Sequence, residues 1–290
     1  YASTVEVIAL LGLTPVLVDV DIDTFNINPQ AIEKAITPKT KAIVPVHLFG
    51  QPAAMDEILE IAKKYNLYII EDNAQALGAY FKNKEGKKIK TGCIGDIGTT
   101  SFFPSKNLGC YGDGGAIFTN NDELAHLIRG IANHGMYKRY YHDVVGVNSR
   151  LDSIQAVVLN EKLKLLDTYN EKRRKSADIY TSFFKNNPKI ITPKVVGDRN
   201  SHVFHQYTLR IINSERDALS EYLTSNKIPF GIYYPVPLHL QKAYADKRFK
   251  EENFGITNQL INEVISLPMH SELSLEQIDY ISDKINKFLT

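Results

Sequence analysis

Short apolar runs alternate with helical ones through the first 130 residues, and this alternation restricts the fold more than any other feature. Residues 16–21 (Val-Leu-Val-Asp-Val-Asp) read as a buried strand, 29–36 as a short helix and 42–48 as a second strand. A helix follows over 54–65, with Met55, Ile58, Leu59 and Ala62 at helical spacing. Strands are expected over 67–72, 97–103 and 116–119, then a helix over 122–131. Strands separated by helices of this length imply βαβ crossovers and a largely parallel sheet, hence an α/β fold. Open α/β sheets gather ligands at the carboxyl ends of their strands. Three such ends are polar here: Asp19/Asp21, Glu71-Asp72-Asn73, and Ser101-Phe102-Phe103-Pro104-Ser105-Lys106.

The second half changes character. Asp152 and Gln155 form a capping-box pattern that opens a long helix, running toward Arg173 and Arg174. A strand is expected over 204–212 and a helix over 215–226. In the last helix Ser274 and Gln277 form another capping box, and Leu275, Ile278, Ile281, Ile285 and Leu289 an apolar stripe. These elements suggest a large domain over 1–165 and a small α+β domain over 166–290. The 290 residues agree with two domains at ~150 residues each.

Composition excludes several classes of partner. Lys and Arg number 34 against 33 Asp and Glu, so no global charge favours nucleic acid or an anionic membrane. No apolar run approaches the ~20 residues of a membrane span. Two cysteines, Cys93 and Cys110, cannot build a disulfide framework; they read as packing residues in a reducing, cytoplasmic compartment. The lysine-rich stretch 82–90 reads as a solvated hairpin tip. The chain opens on Tyr1-Ala2-Ser3-Thr4 without a methionine, which leads us to expect an earlier segment before it.

Most familiar motifs fail. Gly112-Asp113-Gly114-Gly115-Ala116 lacks the last glycine of a dinucleotide fingerprint. Gly86-Lys87-Lys88 is no Walker A loop, no Gly-x-Ser-x-Gly elbow occurs, and the histidines lack zinc-site spacing, so no metal is expected.

A lysine constellation remains. Lys106 follows an apolar strand and precedes a glycine-rich stretch whose members permit close backbone approach and positive φ. Desolvation there would lower its pKa and make it nucleophilic, as Schiff-base chemistry requires. Asp72 ends a neighbouring strand. Pyridoxal phosphate (PLP) needs such a lysine and an aspartate for its ring nitrogen. The alternative is a structural lysine in a turn and an aspartate paired with some buried donor.

At these residues the chain resembles the DegT/StrS-type nucleotide-sugar aminotransferases, PLP enzymes of fold type I. The resemblance runs from Ala2 to the C-terminus. It rests on Glu71-Asp72-Asn73-Ala74-Gln75-Ala76, Ser101 to Lys106, Gly146-Val147-Asn148-Ser149-Arg150-Leu151, Tyr234-Pro235-Val236-Pro237-Leu238-His239 and Leu267-Pro268-Met269-His270. It implies a mixed, mostly parallel sheet flanked by helices. Lys106 would bond the cofactor and shuttle a proton, and Asp72 would pair with its ring nitrogen. Gln75 would lie near its phenolic oxygen, and Ser101 would bind its phosphate. Asn148 would reach the phosphate in a partner subunit, which implies a homodimer with shared sites. Tyr1 aligns with the aromatic residue that stacks on the ring, unless it is simply a frayed end. The early segment expected before Tyr1 would then include part of the large domain and a phosphate-binding helix N-terminus, and without it PLP would bind weakly.

One subgroup is most similar: bacterial enzymes that aminate UDP-2-acetamido-3-oxo-glucuronate with L-glutamate, for O-antigen synthesis. A uronate carboxylate needs a cation. Arg150 is the candidate, since a guanidinium matches a carboxylate bidentately; otherwise it pins its loop. Tyr234 and His239 would touch sugar or diphosphate, or belong to a structural Pro-rich turn. His205 matches a family position, or is a packed strand histidine. The competing readings are another nucleotide-ketosugar and a non-catalytic, regulatory family member. Relatives that dehydrate their substrate carry histidine in place of the lysine, and Lys106 argues against that chemistry.

Overall fold

The structure, a computed structural model, describes residues 1–213 and 215–290. Along the chain, α1 (Ser3–Leu10) and α2 (Pro29–Ala35) precede β1 (Ala42–Ile43), α3 (Met55–Tyr65) and β2 (Tyr68–Asp72). A hairpin of β3 (Tyr80–Lys82) and β4 (Lys88–Lys90) leads to β5 (Ile97–Ser101), β6 (Gly115–Phe118) and α4 (Asp122–Ala132). A second hairpin, β7 (Met136–Lys138) and β8 (Tyr141–His142), precedes α5 (Ser153–Leu163) and α6 (Leu166–Phe184). Then come β9 (Ile190–Ile191), β10 (Tyr207–Ile211), α7 (Arg216–Ser225), α8 (Gly255–Glu263), β11 (Val264–Leu267) and α9 (Leu275–Phe288).

The sheet that carries the site has the order β1-β2-β5-β6. β1, β2 and β5 run parallel, and β6 is antiparallel to β5. Its register sets Asp72 against Thr99 and Ser101 against Gly115, so the polar ends of β2 and β5 lie side by side. Met55, Ile58, Ile61 and Ala62 of α3 pack on Ile43 and Ile69 beneath it. A second core joins Tyr180 and Phe184 of α6, Tyr207, Leu209 and Ile211 of β10, Leu219 and Leu223 of α7, and Ile278, Ile281 and Ile285 of α9. Local chemistry fixes the helix ends. Asn28 accepts from the amides of Gln30 and Ala31, with Pro29 in the first turn, a cap worth about 1 kcal/mol. The Ser274–Gln277 capping box is present as expected.

Several expectations fail for identifiable reasons. Residues 16–21 form no strand beyond a single Val20–Ile27 bridge. Asp19 instead accepts from the amides of Ile256 and Thr257 at 2.9 Å and from the Thr257 hydroxyl at 2.7 Å. The strand over 42–48 is cut at Ile43 and returns only as a Val46–Asp72 bridge, because Pro45 has no N–H for the ladder. The long helix from Asp152 breaks at Lys164 and Leu165, and its capping box does not form. The Asp152 side chain caps nothing, and Gln155 Oε1 accepts from the Tyr111 amide at 2.8 Å. The strand over 204–212 begins only at Tyr207, since Phe204 sits at φ 43°. Leu275 is 62% exposed and leaves the α9 stripe. Among the described residues no helix is long and apolar enough to cross a membrane.

Candidate active site

Adjacent residues of a strand point to opposite faces, so Glu71 and Asp72 part company at the end of β2. Asp72 Oδ2 accepts from the Thr4 hydroxyl at 2.7 Å, and Oδ1 from the Ala74 amide at 3.1 Å. Its backbone is tied on both sides, by Asp72 N–H to Pro45 O at 2.9 Å and by His47 N–H to Asp72 O at 3.0 Å.

Lys106 stands in the turn after β5. Burial lowers its ammonium pKa, and the nearby Asp72 carboxylate opposes part of that shift. The turn is closed by Lys106 N–H to Phe103 O at 2.9 Å and Cys110 N–H to Phe102 O at 2.7 Å. The next residue anchors it: Asn107 Nδ2 donates to Asn170 Oδ1 at 2.7 Å and to Val203 O at 3.0 Å. Among the glycines that follow, Gly109, Gly112, Gly114 and Gly115 do not take positive φ. What the loop needs from them is room. A Cβ on Gly109 would run into the Pro104 carbonyl, and one on Gly115 would come within 2.7 Å of Thr100 O. Ser101 Oγ accepts from the Phe103 amide at 3.2 Å at the mouth of the same turn.

Gln75 is buried and bonded at both its oxygen and its nitrogen. Its Oε1 accepts from the Phe49 amide at 2.7 Å, and its Nε2 donates to the Tyr234 hydroxyl at 3.4 Å. Burial raises the Tyr234 phenol, and the Gln75 bond opposes this. The Tyr1 ring lies 6.3 Å from that of Tyr234 at an angle of 44° and is largely exposed. Tyr1, Thr4, Tyr234 and His239 line one cleft of about 1540 Å³.

The two histidines and the pair Asn148 and Arg150 differ in kind. His205 is buried, and its Nδ1 has no hydrogen-bond partner among the described residues. Burial holds its imidazole well below the ordinary range, with the Lys106 and Arg173 charges adding to the effect, so it is neutral. It lies outside any strand, in a segment clamped by Arg173, whose Nη1 donates to the carbonyls of Phe204, His205 and Met269 at 3.0–3.3 Å. The opposite side of that segment meets Gly50, at φ +106°, where a Cβ would sit 3.0 Å from the amides of Phe204 and His205. His239 is buried too, stacked on Phe254 at 4.0 Å, and burial lowers its pKa. Asn148 and Arg150 are exposed, on the segment after β8, and bond mainly to each other through Arg150 Nε to Asn148 Oδ1 at 3.2 Å.

Thr4, His47, Asn107 and Asn170 are not candidates in the sequence, and Glu71 appears there only within the polar end of β2. Thr4 lies 68 positions from Asp72, and Asn107 lies 63 from Asn170.

A desolvated amine near a carboxylate whose two oxygens are both held suits pyridoxal phosphate, which requires a lysine for its aldehyde and an anion at its ring nitrogen. The chain matches the DegT/DnrJ/EryC1/StrS aminotransferase family over residues 1–286. It belongs to that family. DegT-family aminotransferases are PLP enzymes. The chain is 47% identical over 293 residues to the "Pleiotropic regulatory protein" of Geobacillus stearothermophilus, covering 99% of this chain and 76% of the relative. It is 46% identical over 281 residues to the UDP-2-acetamido-2-deoxy-3-oxo-D-glucuronate aminotransferase of Pseudomonas aeruginosa, covering 97% and 75%. Among solved structures it is similar to a DegT DnrJ EryC1 StrS aminotransferase from Brucella abortus. That likeness has a TM-score of 0.92 and 40% identity, over 100% of this chain and 77% of the other. The fold-type-I expectation for this DegT-family chain is therefore met.

Proposed function

We propose that this sugar aminotransferase moves an amino group from L-glutamate to a UDP-linked 3-ketosugar uronate, UDP-2-acetamido-3-oxo-glucuronate, for O-antigen assembly in the cytoplasm. The observation that carries the reaction type is the desolvated Lys106 amine beside the tethered Asp72 carboxylate. The substrate reading is supported by the likeness to the Pseudomonas enzyme. When bound, pyridoxal phosphate supplies an electron sink for the carbanion left as a substrate carbon loses its proton.

The chain's own residues do the rest. Lys106, whose burial favours the neutral amine, would hold the cofactor and would take and return a proton at the substrate carbon. Asp72, its carboxylate fixed by Thr4 and Ala74, would hold the ring nitrogen's proton. Gln75 would lie near the cofactor's phenolic oxygen, Ser101 would bind its phosphate, and Tyr1 would stack on its ring. Neutral His205, with Tyr234 and His239, lines the sugar side. Residues 1–165 would form the PLP-binding domain and 166–290 the small domain.

Asn148 and Arg150 complete the site of a second copy in a homodimer, Asn148 at the phosphate and Arg150 at the uronate carboxylate. Both are exposed, and so are their apolar neighbours: Tyr140 is 76%, Val145 97% and Ile154 76% exposed, a surface suited to burial against another subunit. The regulatory reading is favoured by the name of the Geobacillus relative, and Lys106 and Asp72 together count against a chain without chemistry.

Half-reactions decide. Glutamate should convert the PLP-loaded protein to its aminated form, and the UDP-3-keto-uronate should reverse that better than neutral UDP- or dTDP-ketosugars. A preference for a neutral ketosugar would overturn the substrate. A protein that takes up no PLP would favour the regulatory reading.

A further inference from the structure

Glu71 takes no part in the chemistry above, yet it is among the most heavily bonded side chains of the molecule. It is fully buried beside Asp72. Its carboxylate accepts from the amides of Gly92 at 2.8 Å, Ile94 at 2.6 Å and Gly95 at 2.7 Å, and meets His47 Nε2 at 2.8 Å. The Ala53 amide donates to His47 Nδ1 at 3.0 Å, so the proton of a neutral His47 sits on Nε2 and is donated to Glu71. Burial would raise the Glu71 carboxyl, but the His47 and backbone bonds win and hold it below its ordinary value.

Asp72 is held through its own carbonyl and through both of its covalent neighbours. The His47 amide donates to Asp72 O at 3.0 Å, while its ring holds Glu71. On the other side Asn73 Nδ2 donates to Thr91 O at 3.0 Å, one residue from the turn that Glu71 binds. Both covalent neighbours of Asp72 are thus anchored to residues 91–95. A buried ionised carboxylate is a poor way to gain stability, since well-packed apolar groups do as well. It is a good way to fix one geometry.

We propose that His47 and Glu71 are positioning residues for Asp72. Together they fix the end of β2 so that the Asp72 carboxylate stays aimed at the cofactor's ring nitrogen. This inference rests on the reading of Asp72 as the ring-nitrogen partner.

The test compares variants of the PLP-loaded protein by PLP dissociation constant, by the visible absorption band of the bound cofactor and by melting temperature. Asp72→Asn checks the underlying reading. It should weaken PLP and move the band, and if it does neither, that reading fails. His47→Ala should weaken PLP about tenfold and move the band in the same direction as Asp72→Asn. His47→Gln, whose amide can still reach Glu71, should restore the band and most of the affinity. A disturbed Asp72→Asn beside a His47→Ala that keeps both affinity and band would overturn the proposal and leave the role of Asp72 standing. A lower melting temperature with an unmoved band would do the same. Should His47→Ala fail to fold, His47→Asn replaces it, since its shorter amide cannot reach Glu71. Equal bands and affinities for the Gln and Asn variants would then overturn the positioning role.

Discussion

The ends of β2 and β5 and the stretch from β7 to α5 both carry site residues, and they are built in opposite ways. At the sheet ends every site group is tied within the chain: Asp72 to Thr4 and Ala74, Gln75 to Phe49 and Tyr234, and the Lys106 turn to Asn170 and Val203. Along the β7–α5 stretch Asn148 and Arg150 are exposed, bonded to one another, and surrounded by bare apolar side chains. The lesson is that the groups at the sheet ends are organised within one chain, while Asn148 and Arg150 are presented outward, as the role proposed for them in a second copy's site requires.

The largest effect sharpens this contrast. Lys106→Ala should lower turnover on the order of 10³-fold, read by steady-state assay, because it removes the proton shuttle. Mixing that variant with Asn148→Ala should recover activity if the two regions serve different subunits' sites. Absence of recovery, with hybrid dimers shown to form, would break the comparison. Arg150→Ala should raise the KM for the uronate about tenfold with little change for a neutral ketosugar. Uronate turnover unchanged in that variant would remove Arg150 from the carboxylate.

A smaller effect is expected inside the tied region. Thr4→Val keeps shape and removes the bond to Asp72 Oδ2, and should weaken PLP about three- to tenfold by titration. The smallest is a shift in pH. The Lys106 pKa is lowered by burial and held up in part by Asp72. Its neutral form therefore appears at lower pH than for a free lysine, and PLP uptake should quicken as pH rises through that point. Asp72→Asn removes the opposing charge, so the midpoint of uptake rate should move to lower pH; a move to higher pH would contradict the assigned geometry. The sign carries over to stability. Between the lowered folded pKa and the ordinary lysine value the unfolded chain binds more protons, so this group makes folding more favourable as pH rises.

Much of the tied region could be read from the sequence, because its signals are local. A polar tail on an apolar strand marks Asp72 and Ser101, and a lysine between that strand and a glycine-rich stretch marks Lys106. The alternating pattern likewise yields β2, β5, α3 and α4. Pro45 and Phe204 interrupt their strands locally, but the other failures depend on residues far apart in the chain. Asp19 caps α8 at Ile256, 237 positions away, instead of extending a strand, and Gln155 serves Tyr111 instead of its own helix. The bonds of Thr4 to Asp72 and Asn107 to Asn170 leave no periodic trace. His205 matched a family motif, but its neutrality follows from burial beside Lys106 and Arg173, which only the fold brings together.

The most direct measurement is chemical trapping. Reducing the PLP-loaded protein with borohydride and mapping the modified peptide should find the cofactor attached to Lys106, within the peptide that contains Pro104 and Asn107. Attachment to any other lysine, or a PLP-loaded protein that borohydride leaves unlabelled, would contradict the assignment of the ends of β2 and β5 as the active site.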